Sequence, residues 1–194
     1  MTVRELSAAE VAAHAEELLR IQVAAFRIEA GILGHDRIPY LYETVEDITA
    51  PGLRWIADVI EAEGVPVGES SAPTGAGGAA PEPEGTSARA HGSHDAAGDP
   101  EAIAEVRGAV VLAQRRAGLF VTRVIVNPAH HRQGVASGVL AHAQGLGQRL
   151  FVITSEDNPP GIGMYRKAGF ARVRDVETDT GSILTEYAWE PTAG

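Results

Sequence analysis

Residues 124–137 decide the fold prediction, and they read Val124-Ile125-Val126-Asn127-Pro128-Ala129-His130-His131-Arg132-Gln133-Gly134-Val135-Ala136-Ser137. The apolar run, which extends back to Phe120, predicts a buried strand that ends at Asn127-Pro128. Apolar residues then recur at helical spacing, which predicts a helix from about Gly134 to Gln148. The first turn of a helix carries unpaired N–H groups and partial positive charge, so this unit predicts a seat for an anion such as a pyrophosphate.

Small residues in this loop strengthen the anion prediction. Gly134 and Ala136 leave room for a ligand to approach the backbone, and Arg132 could add a charged contact. The loop is not a Walker motif, because no Gly-Lys-Ser/Thr follows, and it is not a G-x-G-x-x-G fingerprint. An ordinary strand-to-helix turn would show the same pattern, so the prediction needs support from a second motif.

That second motif follows the next predicted strand, Leu150 to Thr154. Asn158 is followed seven residues later by Tyr165, and then by Gly169-Phe170. Together with His131–Ala136, this pair of motifs resembles the GNAT superfamily of N-acetyltransferases, whose pyrophosphate loop reads Gln/Arg-x-x-Gly-x-Gly/Ala. The stretch from Ile21 to Asp47 also resembles a bacterial subgroup of that superfamily whose substrates are mostly unassigned.

The rest of the chain supplies the predicted framework. A capping-box sequence, Ser7-Ala8-Ala9-Glu10, opens a predicted helix that runs to about Ala30. A short helix within 31–48 and another over 160–168 are expected, with strands over 53–60, 105–113, 120–126, 150–154, 170–176 and 183–189. With the resemblance, this order implies a single α/β domain over residues 1–194. Its sheet would be mixed and mostly antiparallel, flanked by helices, with a splay between the family's fourth and fifth strands, here ending at Val126 and Thr154.

Residues 65–100 differ sharply in composition from the chain around them. They are rich in Gly and Pro and contain no aromatic residue. Such a segment cannot bury enough apolar surface to offset the entropy lost on ordering. We therefore expect a flexible insertion between the first two predicted strands.

Composition narrows the class of protein. The formal net charge of −10 disfavours binding to nucleic acid, which is itself a polyanion. The absence of cysteine excludes disulfides, thiolate nucleophiles and Cys-ligated metals. No metal site is expected at His130-His131, because adjacent loop residues seldom share one metal and no third ligand has suitable spacing. No apolar run approaches the ~20 residues of a membrane helix, and the N-terminus lacks a signal-peptide core, so a cytoplasmic protein without membrane contact is expected.

The resemblance implies a role for each matching residue. Acetyl-CoA would be the cosubstrate, its pantetheine arm pairing with the backbone of Val124, Ile125 and Val126. Asn158 would contact the pantetheine, Tyr165 would act as the general acid that protonates the departing thiolate, and the amide of Val126 would polarise the thioester carbonyl. The pyrophosphate would be held by the backbone amides of Arg132, Gln133, Gly134, Val135, Ala136 and Ser137.

The sequence departs from the family pattern at two places. His131 stands where the family has Gln or Arg, which puts one phosphate contact in doubt. Related protein N-terminal acetyltransferases carry a Glu base where this chain has Ile153. The sequence therefore does not assign a general base. Either the amine arrives already neutral and needs no base, or a carboxylate acts through water, with Glu43, Glu46 and Glu105 as candidates.

The resulting hypothesis is an acetyl-CoA-dependent N-acetyltransferase that acts on a primary amine of a small molecule or a peptide, with homodimers common in the family it resembles. Tyr40 and Tyr42 either line the acceptor pocket or have structural roles. One alternative is a non-catalytic acyl-CoA-binding or regulatory module. Another is a binding scaffold that uses the insertion as a partner arm.

Overall fold

The computed structural model describes residues 2–62, 102–178 and 183–191. The predicted insertion at 65–100 lies outside these residues. Five α-helices occur in the described ranges: α1 (Ala8–Ala13), α2 (Ala15–Leu33), α3 (Val45–Ile48), α4 (Val135–Gln144) and α5 (Pro159–Lys167). The strands there are β1 (Thr2–Glu5), β2 (Leu53–Glu61), β3 (Ile103–Arg115), β4 (Gly118–Val126), β5 (Leu150–Thr154), β6 (Ala171–Glu177) and β7 (Ile183–Trp189).

The strands form one sheet in the order β1-β2-β3-β4-β5-β7-β6. Every neighbouring pair is antiparallel except β4 and β5, which are parallel. The predicted α/β class with a mixed, mostly antiparallel sheet is therefore confirmed. Strand β1 was not predicted, because it has only 4 residues with a single large apolar side chain, Val3, and its pairing with β2 is what makes it a strand.

The predicted splay lies between β4 and β5. Their pairing is confined to Leu119 with Leu150 and Phe120 with Phe151, although β4 continues to Val126 and β5 to Thr154. A β-bulge at Thr122 bends β4 just after this junction, and the Thr122 hydroxyl donates to the Val111 carbonyl across 3.1 Å. The two strands therefore separate beyond their second residue pair.

Side chains alternate between the two faces of the sheet, and each face has its own core. On one face, Trp55, Ala57 and Val59 of β2 pack with the first three helices. On the other face, Ile56 of the same strand joins a cluster that includes Leu140 of α4 and residues of α5. The sheet therefore separates α1–α3 from α4 and α5.

Two predicted helices differ from the structure at their ends. The capping box at Ser7 is present, but the helix it starts breaks at His14, and the following helix ends at Gly34, which has a left-handed φ of 71°. Helix α4 stops at Gln144 rather than Gln148, since Gly145 and Gly147 weaken its last turn and Gly147 has a left-handed φ of 69°. Within the described ranges, no helix combines the length and apolarity needed to span a bilayer.

Candidate active site

A cavity of about 790 Å³ opens where β4 and β5 separate. This volume falls within the range of ~300–1,000 Å³ that is typical of small-molecule sites. Its walls come from α2, the segment after α2, the two diverging strands and α5. The residues that carry the argument below are Glu29, Tyr40, Arg123, Val124, Asn158 and Tyr165.

Tyr165 lies on the buried face of α5 and lines the cavity, with 6% of its surface exposed. Its ring packs against Phe170 with the ring centroids 5.5 Å apart. Burial raises the pKa of the Tyr165 phenol, and the nearby charge of Glu29 raises it further. The phenol therefore stays protonated around neutral pH, as a hydrogen-bond donor to a thiolate must be.

Asn158 begins helix α5 and turns its side chain towards α2. Its Oδ1 accepts a hydrogen bond from the Gly161 amide at 3.0 Å, which caps the helix. Because a backbone N–H can only donate, this bond fixes the orientation of the side-chain amide and directs Nδ2 elsewhere. Nδ2 donates to Glu29 Oε1 at 3.0 Å.

Glu29 is a cavity residue that the sequence analysis missed. It shares a face of α2 with Phe26 and Leu33, and all three line the cavity. Burial raises the pKa of the Glu29 carboxyl, while the hydrogen bond from Asn158 lowers it. Its spacing of three and four residues from those apolar neighbours places Glu29 on their side of the helix, and this spacing is the sequence signal that indicates it.

Arg123 of β4 holds one wall of the cavity in place. It is 5% exposed, forms an ion pair with Glu43 and donates to Gln22 Oε1 at 2.6 Å. Its guanidinium lies 4.7 Å from the centroid of the Tyr40 ring, which in turn stacks on Phe26 with centroids 4.8 Å apart. Tyr40 therefore lines the cavity, whereas Tyr42 is 67% exposed and bonds to the Asp36 carbonyl.

The loop before α4 has the backbone shape of an anion seat. Arg132 and Gly134 have left-handed φ angles of 64° and 83°, and the Gly138 amide is bonded to the Gly134 carbonyl, the first hydrogen bond of the helix. Residues His131–Gly134 are exposed. The first turn of α4, whose amides have no partner within the helix, therefore follows directly on an exposed loop.

The same loop is anchored from behind by charged side chains. Gln133 Oε1 accepts from Arg107 Nη2 at 3.0 Å, and Arg107 Nη1 pairs with Asp58 at 3.1 Å. Gly108 next to Arg107 lets the start of α4 pack closely, because a Cβ there would lie 2.7 Å from Val135 Cγ1. The Gln133 side chain thus fixes the loop whose amides were predicted to bind pyrophosphate.

Two histidines, His130 and His131, precede Arg132 in this loop. His131 Nε2 lies 3.3 Å from the Val126 carbonyl, which only accepts, so Nε2 carries the hydrogen. His130 Nε2 lies 2.6 Å from Glu105 Oε1. No group of three or more His, Asp and Glu side chains in the described part of the chain is arranged to hold a metal ion.

The structure brings together only part of the predicted site. Val124, Asn158 and Tyr165 line the cavity. Ile125 is fully buried in the core, and Val126 and the loop residues Arg132–Ser137 follow Val124 along the chain without lining the cavity. The three carboxylates considered as bases do not line it either: Glu43 pairs with Arg123, Glu105 contacts His130, and Glu46 lies in the first turn of α3.

Comparison with known protein families gives a match over most of the chain. A sequence profile described as the Acetyltransferase (GNAT) family matches residues 16–170. The chain belongs to this family. The matched region runs from the start of α2 through β4, the loop and α5 to Phe170, so it includes both GNAT motifs recognised in the sequence.

The individual proteins that this chain resembles share little sequence identity with it. UPF0157 protein YqkA of Bacillus subtilis (strain 168) is 23% identical over 181 residues, which is 91% of this chain and 40% of YqkA. The chain therefore spans less than half the length of that relative. The apo-form of YjaB from Escherichia coli is 15% identical with a TM-score of 0.53, covering 96% of this chain and 95% of YjaB. The ribosomal-protein-S18-alanine N-acetyltransferase from Escherichia coli is 19% identical with a TM-score of 0.39, over 47% of this chain and 66% of that enzyme. The likeness to YjaB supports the fold.

Proposed function

We propose that this GNAT-family protein transfers an acetyl group from acetyl-CoA to a primary amine. The observation that carries the proposal is the gap between β4 and β5, which has Val124 on one wall and Asn158 and Tyr165 on the other. The exposed anion seat follows immediately at the end of β4. One elongated ligand with a diphosphate at one end and a thioester at the other fits both features.

The residues present suit acetyl-CoA. Beyond Phe120, β4 makes no pairing with β5 within the described residues, so the backbone of Val124–Val126 can pair with the amides of a pantetheine arm. The amides of Arg132–Ser137 would hold the pyrophosphate. A Cβ placed on Gly134 would meet nothing within 4 Å, so the space before the helix is open to a ligand. The second hydrogen on Asn158 Nδ2 is left to contact the pantetheine.

When bound, acetyl-CoA supplies a thioester whose carbonyl carbon is open to attack by an amine. The protein would position the thioester and stabilise the charge that develops on it during the reaction. The amide of Val126 would polarise the carbonyl oxygen, and Tyr165 would donate its phenolic proton to the sulfur as the carbon–sulfur bond breaks. The acceptor amine would enter the part of the cavity lined by α2 and Tyr40.

Calorimetric titration with acetyl-CoA tests the binding half of this proposal, and measuring free CoA released with a panel of small and peptide amines tests the reaction. We expect saturable binding and turnover with at least one primary amine. A chain that shows no binding at millimolar acetyl-CoA would refute the whole proposal. Binding without turnover on any amine would favour the non-catalytic acyl-CoA-binding module.

A further inference from the structure

Glu29 is a half-buried carboxylate in the cavity, and no cation of the described chain balances its charge. Its Oε1 accepts the hydrogen bond from Asn158, and no Arg, Lys or His in the described ranges forms an ion pair with it. Taking a carboxylate out of water without a partner is costly. A ligand that carries positive charge would supply the missing partner.

The basic residues that line the cavity with Glu29 are either paired with other groups or lie at its exposed rim. The guanidinium of Arg123 is committed to Glu43 and Gln22. His35 and Arg37 line the cavity from its exposed rim. The ring of Phe26, one turn before Glu29 on the same helix, adds an aromatic surface of the kind that attracts ammonium groups. The Glu29 end of the cavity is therefore suited to an ammonium ion.

We propose that Glu29 binds the ammonium group of the acceptor and removes its proton, so that the acceptor is a primary amine that is cationic at neutral pH. This inference rests on the proposed acetyl transfer and supplies the base that the sequence left open. Glu29 and Tyr165 would then act on opposite partners of the reaction, one on the amine and the other on the sulfur.

The proton and bond changes balance without a further reactant. Glu29 takes one proton from the ammonium group and passes it to solvent. The amine nitrogen then bonds to the acetyl carbon, the carbon–sulfur bond breaks, and the second nitrogen proton passes to the same carboxylate, which releases it to solvent. Tyr165 protonates the sulfur and is restored by a proton from solvent. An ammonium and a thioester thus give an amide, a thiol and one proton.

The surroundings of Glu29 favour this role. Burial raises the pKa of its carboxyl, which makes it a stronger base than a solvent-exposed glutamate. Glu43 does not line the cavity, and its charge is balanced by its ion pair with Arg123. The titratable and charged groups that line the cavity with Glu29 are His35, Arg37, Tyr40, Arg123, Asp157 and Tyr165.

The Glu29→Gln variant tests the proposal, because the glutamine carbonyl can still accept from Asn158. With the best amine of the panel, we expect kcat/KM at neutral pH to fall at least ~10²-fold. The acetyl-CoA Kd should stay within about twofold. The deficit should shrink as the pH approaches that amine's own pKa, ~10 for a lysine-like amine, since a neutral amine needs no base. Glu16→Gln, on the exposed side of the same helix, is the matched control and should behave as wild type.

A deficit that stays constant with pH, or an unchanged rate, overturns the assignment of Glu29. A wild-type chain that binds acetyl-CoA and acetylates no amine overturns the proposed function instead. A measurement without turnover guards against misfolding of the variant. Titrating wild-type protein with the amine alone should shift the Glu29 carboxyl ¹³C resonance, assigned with Glu29→Asp, and lower its pKa. An unmoved resonance at saturating amine also rejects the proposal.

Discussion

The side-chain amide of Asn158 donates to the carboxylate of Glu29 at 3.0 Å, although 129 residues separate them in sequence. The bond links the N-cap of α5 to the second-last turn of α2, and both residues line the cavity. Asn158 thereby serves two elements at once, since its oxygen caps α5 while its nitrogen orients Glu29. A residue of the second motif thus holds in place a carboxylate that no sequence motif indicated.

Tyr165→Phe should lower kcat by about 10²-fold while leaving acetyl-CoA affinity nearly unchanged, because the variant loses only the phenolic proton donor. Steady-state kinetics with CoA release, together with calorimetry, separates the two quantities. Tyr42→Phe is the matched control, since Tyr42 is exposed and lies outside the cavity. An unchanged rate for Tyr165→Phe at every pH would remove Tyr165 from the mechanism.

Gly134→Ala should weaken acetyl-CoA binding and destabilise the fold by about 1 kcal/mol, because alanine strains the left-handed conformation at φ 83°. The loss cannot come from a clash, since a Cβ at this position meets nothing within 4 Å. Gly163→Ala, in the exposed middle of α5 with equally open space, should be neutral or stabilising. Thermal unfolding and calorimetry of both variants check the contrast, and equal effects from the two substitutions would contradict it.

Arg107→Met should lower the free energy of unfolding by about 3–5 kcal/mol, because it leaves the buried Asp58 carboxylate without its partner. It should also loosen the loop by removing the bond to Gln133, which weakens acetyl-CoA binding. Denaturant unfolding measures the first effect and calorimetry the second. Adding Asp58→Asn should recover part of the stability. Arg115→Met, at the exposed end of the same strand, is the control and should change stability little.

Glu10 should make stability depend on acidic pH. Hydrogen bonds from Arg4 and Ser7 lower the pKa of its carboxyl from 4.5 to about 2. A carboxyl with a lowered folded-state pKa stabilises the fold above its unfolded pKa, and that contribution is lost as the pH falls through the folded value. The difference in Tm between wild type and Glu10→Gln should therefore be full at pH 6 and shrink below about pH 4.5. Glu177→Gln, at an exposed position, is the control. A Tm difference between wild type and Glu10→Gln that does not decrease in acid would contradict the role assigned to the Glu10 carboxylate.

Much of the fold could be predicted because the patterns were local. The capping box at Ser7, the apolar run of β4 and the glycine before α4 each act within a few residues. Strand β1 could not be predicted, since its identity depends on a backbone pairing with residues more than 50 positions away. The break at His14 was also hidden, because apolar spacing continues across it.

The site was only partly predictable for a related reason. Tyr165 and Asn158 were found through a motif with fixed spacing, and both line the cavity. Glu29 has no such motif, and its role depends on a neighbour contributed by the other end of the chain. Glu43 was considered as a base, but its ion pair with Arg123 is a tertiary contact between distant residues that no local pattern reports.

The two-pair junction between β4 and β5 also bears on how the chain unfolds. It divides the sheet into two leaves, β1–β4 and β5–β7, that share a short backbone seam. A cosubstrate lying in the gap would connect the two leaves, because it would bond to the main chain of β4 on one side and contact Asn158 and Tyr165, which follow β5, on the other. The resistance of the chain to heat and proteolysis would then increase with the concentration of the cosubstrate, because ligand binding adds to the stability of the folded state.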